Sequence, residues 1–177
     1  MIYLDTSAFI KLVKEEAESL PLNEYLRSLQ GPRFTSSKLL AVEARHGTLR
    51  SAPKRLPRVD LMLDRVTQLE ISDAVIETAS RLPDPMLRTL DAIHLATALL
   101  IRDDVDVLIS YDDRLLAAAA SHGLSTPRGE PGRLLAEPLV SGATSTSSSA
   151  PAANDAWNPN SSATAPRPTA PAPVPAS

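Results

Sequence analysis

The sequence predicts an α/β protein with a central parallel sheet covered by helices on both faces. Short apolar runs, such as IYL at residues 2–4 and VDVLI at 105–109, are typical of buried strands. Longer segments with apolar residues at helical spacing lie between such runs. The two patterns alternate along the chain, and this alternation favours a parallel sheet with a helix layer on each side.

The strand predictions come from short apolar runs bounded by turn-forming residues. The predicted strands lie at 2–4, 33–35, 68–71 and 105–110, with an edge strand at 124–126. Asp5 follows the first of these runs directly, and Asp112 comes shortly after the run that ends at residue 110. The sheet is therefore predicted to have about five strands, two of which lead into acidic side chains.

The helix predictions come from apolar spacing and from capping residues. The predicted helices lie at 6–29, 38–49, 59–66, 73–82, 86–101 and 112–121. Asp5 and Thr6 are suited to capping the first helix, and Ser72 to capping the fourth. Pro21 is expected to weaken the first helix, and Pro57 to lie in a turn before the third.

The composition divides the chain into a domain and a tail. From Ser141 to Ser177, alanine, serine, proline and threonine supply 29 of 37 residues. Such a segment has too little apolar surface to offset its conformational entropy, so it is predicted to be disordered. We expect one folded domain over residues 1–136 and a disordered tail over 137–177.

Overall composition narrows the class of protein. The 177 residues are 43% apolar, which suffices for one sizeable core. There is no cysteine, no apolar run approaches the ~20 residues that cross a bilayer, and no leader is recognised, so a soluble cytoplasmic protein is expected. A net charge of −3 argues against a strongly basic nucleic-acid binder, although residues 38–65 hold seven basic and three acidic side chains. That stretch is either a phosphate-facing surface or a solvated helical face.

Four acidic residues beside predicted core elements are the main functional signal. They are Asp5, Glu43, Asp91 and Asp112. Carboxylates on such elements are costly to desolvate unless a positive charge meets them. No lysine or arginine recurs beside them as a partner, which favours a divalent cation. The ends of parallel strands share one rim, so Asp5 and Asp112 are expected there, with the other two reaching inward from helices.

Four segments resemble the PIN-domain ribonucleases, and within them the VapC-type toxins of bacterial toxin–antitoxin pairs. The segments are MIYLDTSAFIKL, AVEARHG, LDAIHLATAL and ISYDDRLLAAA. The first three acids of the family's pattern correspond here to Asp5, Glu43 and Asp91. The fourth follows a strand and an aromatic residue, and corresponds better to Asp112 than to the adjacent Asp113.

The resemblance spans roughly residues 1–132 and carries several expectations. It implies a three-layer α/β/α fold with strand order 3-2-1-4-5, a homodimer, and a cognate antitoxin protein that blocks the site. It also implies a divalent-metal-dependent endoribonuclease that hydrolyses RNA phosphodiester bonds.

The expected chemistry suits these residue types. Mg²⁺ and Mn²⁺ prefer oxygen ligands, and a pair of such ions can stabilise both the attacking and the leaving oxygen of an in-line displacement. We assign Asp5 and Asp91 as principal ligands, with Glu43 and Asp112 completing the shell or serving a second ion when RNA contributes a phosphate oxygen.

Other interpretations stay open from the sequence. Asp5 is also suited to a purely capping role, and Glu43 to a solvated helix face. A haloacid-dehalogenase-like phosphatase would need an aspartate two residues after Asp5, where Ser7 stands. A binding module for an antitoxin or RNA, without strong catalysis, is the remaining alternative. His94 is expected to be a packed core residue. Arg114 is expected either to face the RNA backbone or, as the favoured alternative, to decorate a helix.

Overall fold

In the part of the chain that the structure describes, four strands form a parallel sheet with helices packed on its two faces. The computed structural model describes residues 1–29 and 31–127, so the predicted tail at 137–177 lies outside the described residues. The strands are β1 (Ile2–Leu4), β2 (Phe34–Ser37), β3 (Val66–Leu69) and β4 (Val107–Ile109). The helices are α1 (Thr6–Val13), α2 (Ser19–Ser28), α3 (Leu39–Ser51), α4 (Leu56–Leu63), α5 (Asp73–Ser80), α6 (Thr89–Leu100) and α7 (Asp113–Ser121). Single 3₁₀ turns occupy Pro53–Arg55 and Arg102–Asp104.

The order of the described strands is β3-β2-β1-β4, and every pairing is parallel. This agrees with the expected order for those four strands. The predicted edge strand at 124–126 does not form a strand: among the described residues its sheet contact is one backbone hydrogen bond, from Leu108 N–H to Ser125 O at 2.8 Å. Pro127 follows at once and has no N–H to extend a ladder.

Alternating side chains divide the core into two layers. Ile2 and Leu4 of β1 pack with Val107 and Ile109 of β4 on the face covered by α1 to α4. Tyr3 points to the opposite face. There it belongs to a second cluster, formed with Leu95, Leu108 and Leu115 under α6 and α7. Because side chains of a strand alternate between faces, these three-residue strands serve both layers at once.

Pro21 and Pro57 lie at other places in their helices than the sequence predicted, for a common reason. The first predicted helix is broken at residues 14–18, while Pro21 lies in the first turn of α2. Pro57 likewise lies in the first turn of α4 instead of in a turn before it. The first N–H groups of a helix have no intrahelical partner, so proline costs little there.

The parallel register sets the position of the site. Leu4 of β1 pairs with Ile109 of β4, so the residues that follow, Asp5 and Ser110, leave the sheet side by side. Among the described residues, no helix is long and apolar enough to span a lipid bilayer.

Candidate metal centre

Asp5 lies immediately after β1 and is the N-cap of α1. Its Oδ2 accepts hydrogen bonds from Ser7 N–H at 3.1 Å, from Ser7 Oγ at 2.6 Å and from Ser110 Oγ at 2.9 Å. Its Oδ1 lies 3.8 Å from His94 Nε2. Only 5% of Asp5 is exposed, and these donors, with the helix N-terminus, compensate for its desolvation. The capping role is therefore real, and it positions the carboxylate at the rim of the sheet.

Asp91 lies in the first turn of α6, and one of its carboxylate oxygens has no hydrogen-bond partner among the described residues. This oxygen, Oδ2, is buried. Burial raises the pKa of Asp91, and the negative charges of Asp112 and Asp5 raise it further, against a smaller lowering effect of Arg114. The three aspartates thus share one electrostatic neighbourhood although they are far apart in sequence.

Asp112 is the N-cap of α7 and is held by Arg114. Its Oδ1 accepts from the backbone N–H groups of Arg114 at 2.9 Å and of Leu115 at 3.4 Å. The Arg114 guanidinium reaches both carboxylate oxygens, with Nη2 2.9 Å from Oδ2 and Nε 3.3 Å from Oδ1. These hydrogen bonds from Arg114 hold the pKa of Asp112 below its usual range despite partial burial. Asp113 is exposed in the first turn of α7, and it is the charge of Asp112 that acts on the pKa of Asp91.

Glu43 projects from α3 toward the same region. Its Oε2 accepts from Thr6 Oγ1 at 2.6 Å and lies 3.0 Å from His94 Nε2. Burial by itself would raise the pKa of Glu43, but the hydrogen bonds from His94 and Thr6 outweigh it and hold the pKa below its usual range. Because His94 Nε2 also lies 3.8 Å from Asp5, this ring links Glu43 to the three aspartates.

The four predicted acids therefore lie in one region, but they are not drawn together around a point. No group of three or more histidine or acidic side chains within residues 1–29 and 31–127 is arranged to hold a metal ion. Protein donors engage all four carboxylates, Asp91 through a backbone hydrogen bond from Arg88, but Oδ2 of Asp91 is buried without a partner among the described residues. The residues fit a hard cation in their chemistry, since oxygen donors predominate and one of them lacks a hydrogen-bond donor.

The structure adds residues that the sequence did not assign to the site. The absence of a basic partner was a wrong prediction: Arg114, expected on a helix surface, pairs with Asp112. His94 is buried as expected, but two of the acids touch it. The adjacency of Arg114 to the acidic pair was a usable signal, whereas the contact between His94 and Glu43 spans 51 positions and left none.

Some basic side chains of the stretch at 38–65 make hydrogen bonds and ion pairs within the protein. Arg55 donates to Val13 O at 2.8 Å, at the carboxyl end of α1, and Arg45 pairs with Asp60 at 2.9 Å. Arginine side chains at the end of a helix satisfy carbonyls that lack intrahelical partners. This stretch is therefore, in part, a helix-capping feature instead of a continuous phosphate-facing surface.

The position that would carry a second aspartate in a haloacid-dehalogenase-like phosphatase has a different role here. Ser7 donates to Asp5 through both its N–H and its hydroxyl group, and its Oγ also accepts from Tyr111 N–H at 2.7 Å. The residue supports Asp5 and supplies no second carboxylate.

Comparisons with known proteins agree with this architecture. Residues 2–121 match the model of the PIN domain. The chain is 39% identical over 127 residues to "Ribonuclease VapC35" of Mycobacterium tuberculosis, an alignment that covers 71% of this chain and 94% of the relative.

Two solved structures share the fold. A toxin–antitoxin complex from Klebsiella pneumoniae has a chain that is 24% identical, with a TM-score of 0.53, and the match covers 66% of this chain and 91% of that one. VapC20 of Mycobacterium tuberculosis, described as a sarcin-ricin loop cleaving toxin, is 16% identical with a TM-score of 0.56, covering 67% and 95%. From the family match and the extent of its identity to VapC35, the chain belongs to the PIN-domain family, within the VapC group.

Proposed function

We propose that this chain is a divalent-metal-dependent endoribonuclease that hydrolyses RNA phosphodiester bonds, as the toxin of a toxin–antitoxin pair. The observation that carries the proposal is the buried, unpartnered oxygen of Asp91. Two further aspartates raise the pKa of this group, and a cation would relieve that repulsion. Membership of the family of VapC ribonucleases supplies the reaction class.

The proposed cofactor is Mg²⁺ or Mn²⁺. Asp5 and Asp91 are the principal ligands, and Glu43 and Asp112 complete the shell. Oxygen ligands suit either ion. Such an ion would lower the pKa of a water molecule, so that hydroxide is available near neutral pH to attack the phosphorus. It would also stabilise the negative charge that develops on the phosphate.

The protein side chains have distinct tasks in this proposal. Ser7 and Ser110 hold Asp5 through Oδ2, which leaves its Oδ1 for a cation. Asp112 is occupied by Arg114, so cation binding there displaces the guanidinium. The guanidinium freed from Asp112 can then pair with an RNA phosphate, because guanidinium groups match phosphate oxygens well.

A second candidate is a PIN-fold binding module with little catalysis. It is favoured by one observation: protein donors already engage the four carboxylates, and no group among the described residues is arranged to hold an ion. A cleavage assay separates the two candidates, because a binding module would retain RNA without cutting it.

The test is cleavage of structured RNAs by the full chain, with Mg²⁺, with Mn²⁺ and with a chelator. We expect cleavage that requires a divalent cation and that Asp5→Asn or Asp91→Asn abolishes without loss of fold. Asp113→Asn is the matched control, since it removes an adjacent but exposed acid and is expected to cleave normally. Cleavage at the wild-type rate by Asp5→Asn would refute the assignment.

The proposed partners are RNA, a cognate antitoxin protein and a second copy of the chain. The solved toxin–antitoxin complex supports the antitoxin. Exposed apolar side chains of Met86 (72%) and Leu90 (45%) support a protein contact near α6. The proposal also places the protein in the cytoplasm, where RNA is available, with no membrane partner. Light scattering with and without a co-expressed antitoxin tests the assembly, and a monomer that never binds an antitoxin contradicts it.

A further inference from the structure

We propose that His94 is a positioning residue that holds Glu43 in the orientation needed to bind the cation, and that Tyr3 orients His94 for this task. The inference rests on the proposed function, because it gives a role to a side chain behind the proposed metal ligands. His94 itself is assigned no contact with the cation or with RNA.

The geometry of the ring points to this role. His94 lies on α6 one turn after Asp91 and is only 1% exposed. Its Nδ1 lies 3.1 Å from Tyr3 Oη, and its Nε2 lies 3.0 Å from Glu43 Oε2. Both ring nitrogens are therefore in hydrogen-bonding contacts, one on the sheet and one at the site. A histidine that only filled the core would not need to place a nitrogen against a carboxylate oxygen.

The proton positions follow from the neighbours of the ring. A lone pair on Nε2 would repel the Glu43 carboxylate at 3.0 Å, so Nε2 carries a hydrogen and donates it. Burial raises the pKa of Tyr3 well above its usual range, so its hydroxyl keeps its proton. Tyr3 Oη accepts from Ser37 N–H at 3.0 Å, which leaves its own hydrogen for Nδ1. The chain of donors runs from Ser37 through Tyr3 and His94 to Glu43.

The donor to Glu43 does not depend on the charge of the ring, because the imidazolium form also carries a hydrogen on Nε2. What the network sets is the direction of this N–H. Tyr3 is fully buried on β1, beside the strand end that leads into Asp5, so the sheet itself fixes the ring.

Two donors converge on the same oxygen of Glu43. Thr6 Oγ1 donates to Oε2 at 2.6 Å, and His94 Nε2 donates to it from 3.0 Å. Thr6 belongs to α1 and His94 to α6, so the carboxylate is clamped between two helices. With Oε2 held in this way, Oε1 is the oxygen that we assign to the cation. Groups that orient metal ligands in this manner typically change metal affinity about 10- to 100-fold when they are removed.

The test compares two substitutions that preserve different parts of the ring. In His94→Gln, the side-chain amide nitrogen reaches about as far as Nε2, so a donor to Glu43 is kept. In His94→Asn, the amide occupies the Nδ1 region and falls short of Glu43. Mn²⁺ binding by the full chain, without RNA, is measured from the electron paramagnetic resonance signal of free Mn²⁺, alongside the metal-free Tm.

We expect His94→Gln to bind Mn²⁺ within about threefold of wild type and His94→Asn to bind it at least ~10-fold more weakly. Glu43→Gln marks the loss expected when the ligand itself is removed. Equal Mn²⁺ affinity in His94→Asn and wild type, where Asp91→Asn abolishes binding, overturns the inference and leaves the proposed function standing. A wild-type protein that binds no Mn²⁺ overturns both.

A second measurement needs no variant and covers the case in which His94→Asn fails to fold. Two-bond ¹H–¹⁵N correlation spectra of the wild-type protein, labelled at histidine, report which ring nitrogen carries the hydrogen. We expect a hydrogen on His94 Nε2, with and without Mg²⁺. A ring with hydrogen on Nδ1 alone overturns the inference, because such a ring has no donor for Glu43.

Discussion

Replacing Asp91 by asparagine is expected to stabilise the metal-free protein while removing its response to metal. The carboxylate has one buried oxygen without a partner among the described residues. It also lies in the field of Asp112 and Asp5, which raises its pKa along with burial. Asparagine keeps the shape of the side chain and removes the charge, so the repulsion disappears.

The size of the effect follows from the repulsion that asparagine no longer meets, since two like charges about 4 Å apart interact by about 1–4 kcal/mol near a protein surface. Asp91 is only partly buried and solvent screens its charge, so the lower end of that range applies. A gain of about 1 kcal/mol raises the Tm of a domain of this size by roughly 4 °C. For the wild type, metal at 100 times its Kd adds about 2.7 kcal/mol, which is roughly 10 °C.

The assay is thermal unfolding of wild type and Asp91→Asn at pH 7, with a chelator and with millimolar Mg²⁺ or Mn²⁺. The variant is expected to melt at a higher temperature than wild type in the chelator and to show no rise with metal. Asp113→Asn is the control, and its Tm is expected to stay within about 1 °C of wild type, as is usual for a surface change. A lower metal-free Tm for Asp91→Asn, or a full metal response in it, would refute the reasoning.

The stability of the metal-free protein is also expected to depend on pH, and the raised pKa of Asp91 fixes the direction of that dependence. A group whose pKa is raised on folding contributes stability that is present below its unfolded pKa and is lost as the pH rises through its folded pKa. Asp91 is such a group, so the metal-free wild type is expected to lose stability as the pH rises from about 4 toward neutrality. Asp91→Asn lacks this contribution, and the gap between the two proteins is expected to widen over that range.

Two further predictions concern arginines with different roles. The pKa of Asp112 is held below its usual range by Arg114, so the stability from this pair is lost as the pH falls below about 4. Arg114→Gln is expected to show a smaller loss between about pH 4 and pH 2 in thermal unfolding, and an unchanged profile would contradict the pairing. Arg55→Gln removes a hydrogen bond to Val13 O at the end of α1, so the free energy of unfolding is expected to fall by about 1 kcal/mol in urea titration. Its RNA cleavage rate is expected to match that of wild type, and a large loss of cleavage would return Arg55 to the RNA-facing surface.

Much of the fold could be predicted because most strands and helices have a recognisable local sequence pattern. The runs IYL and VLI are wholly apolar, as strands buried on both faces require, and the four described strands all overlap the predicted ones. The helix break at residues 14–18 could not be predicted in this way. It depends on Ser19, whose Oγ donates to Lys14 O at 2.8 Å and accepts from Glu16 N–H at 2.9 Å, and such a side-chain turn is not visible in apolar spacing.

The candidate site also has features that local sequence predicts and features that it does not. Residue type and position in the pattern select Asp5, Glu43, Asp91 and Asp112 as candidates, because acids at strand ends and on core helices are conspicuous. Ser7 and Arg114 lie two residues from the acids that they contact. Other donors come from distant parts of the chain and could not be predicted from spacing. Ser110 reaches Asp5 across 105 positions and Thr6 reaches Glu43 across 37. Only the register of the sheet and the packing of the helices bring these groups together.

The hydrogen bonds and charges around the four acids explain why Asp91 has the largest unfavourable electrostatic interaction. Hydrogen bonds hold the pKa of Glu43 and the pKa of Asp112 below their usual range, and the carboxylate of Asp5 accepts hydrogen bonds from Ser7 and Ser110. The charges on Asp112 and Asp5 act on Asp91, whose buried oxygen has no donor of its own among the described residues. A backbone hydrogen bond from Arg88 lowers the pKa of Asp91, but it does not outweigh burial and the two neighbouring charges. The electrostatic repulsion is therefore largest at Asp91. A cation bound there would relieve most of it, so the gain in stability on metal binding is expected to depend on Asp91.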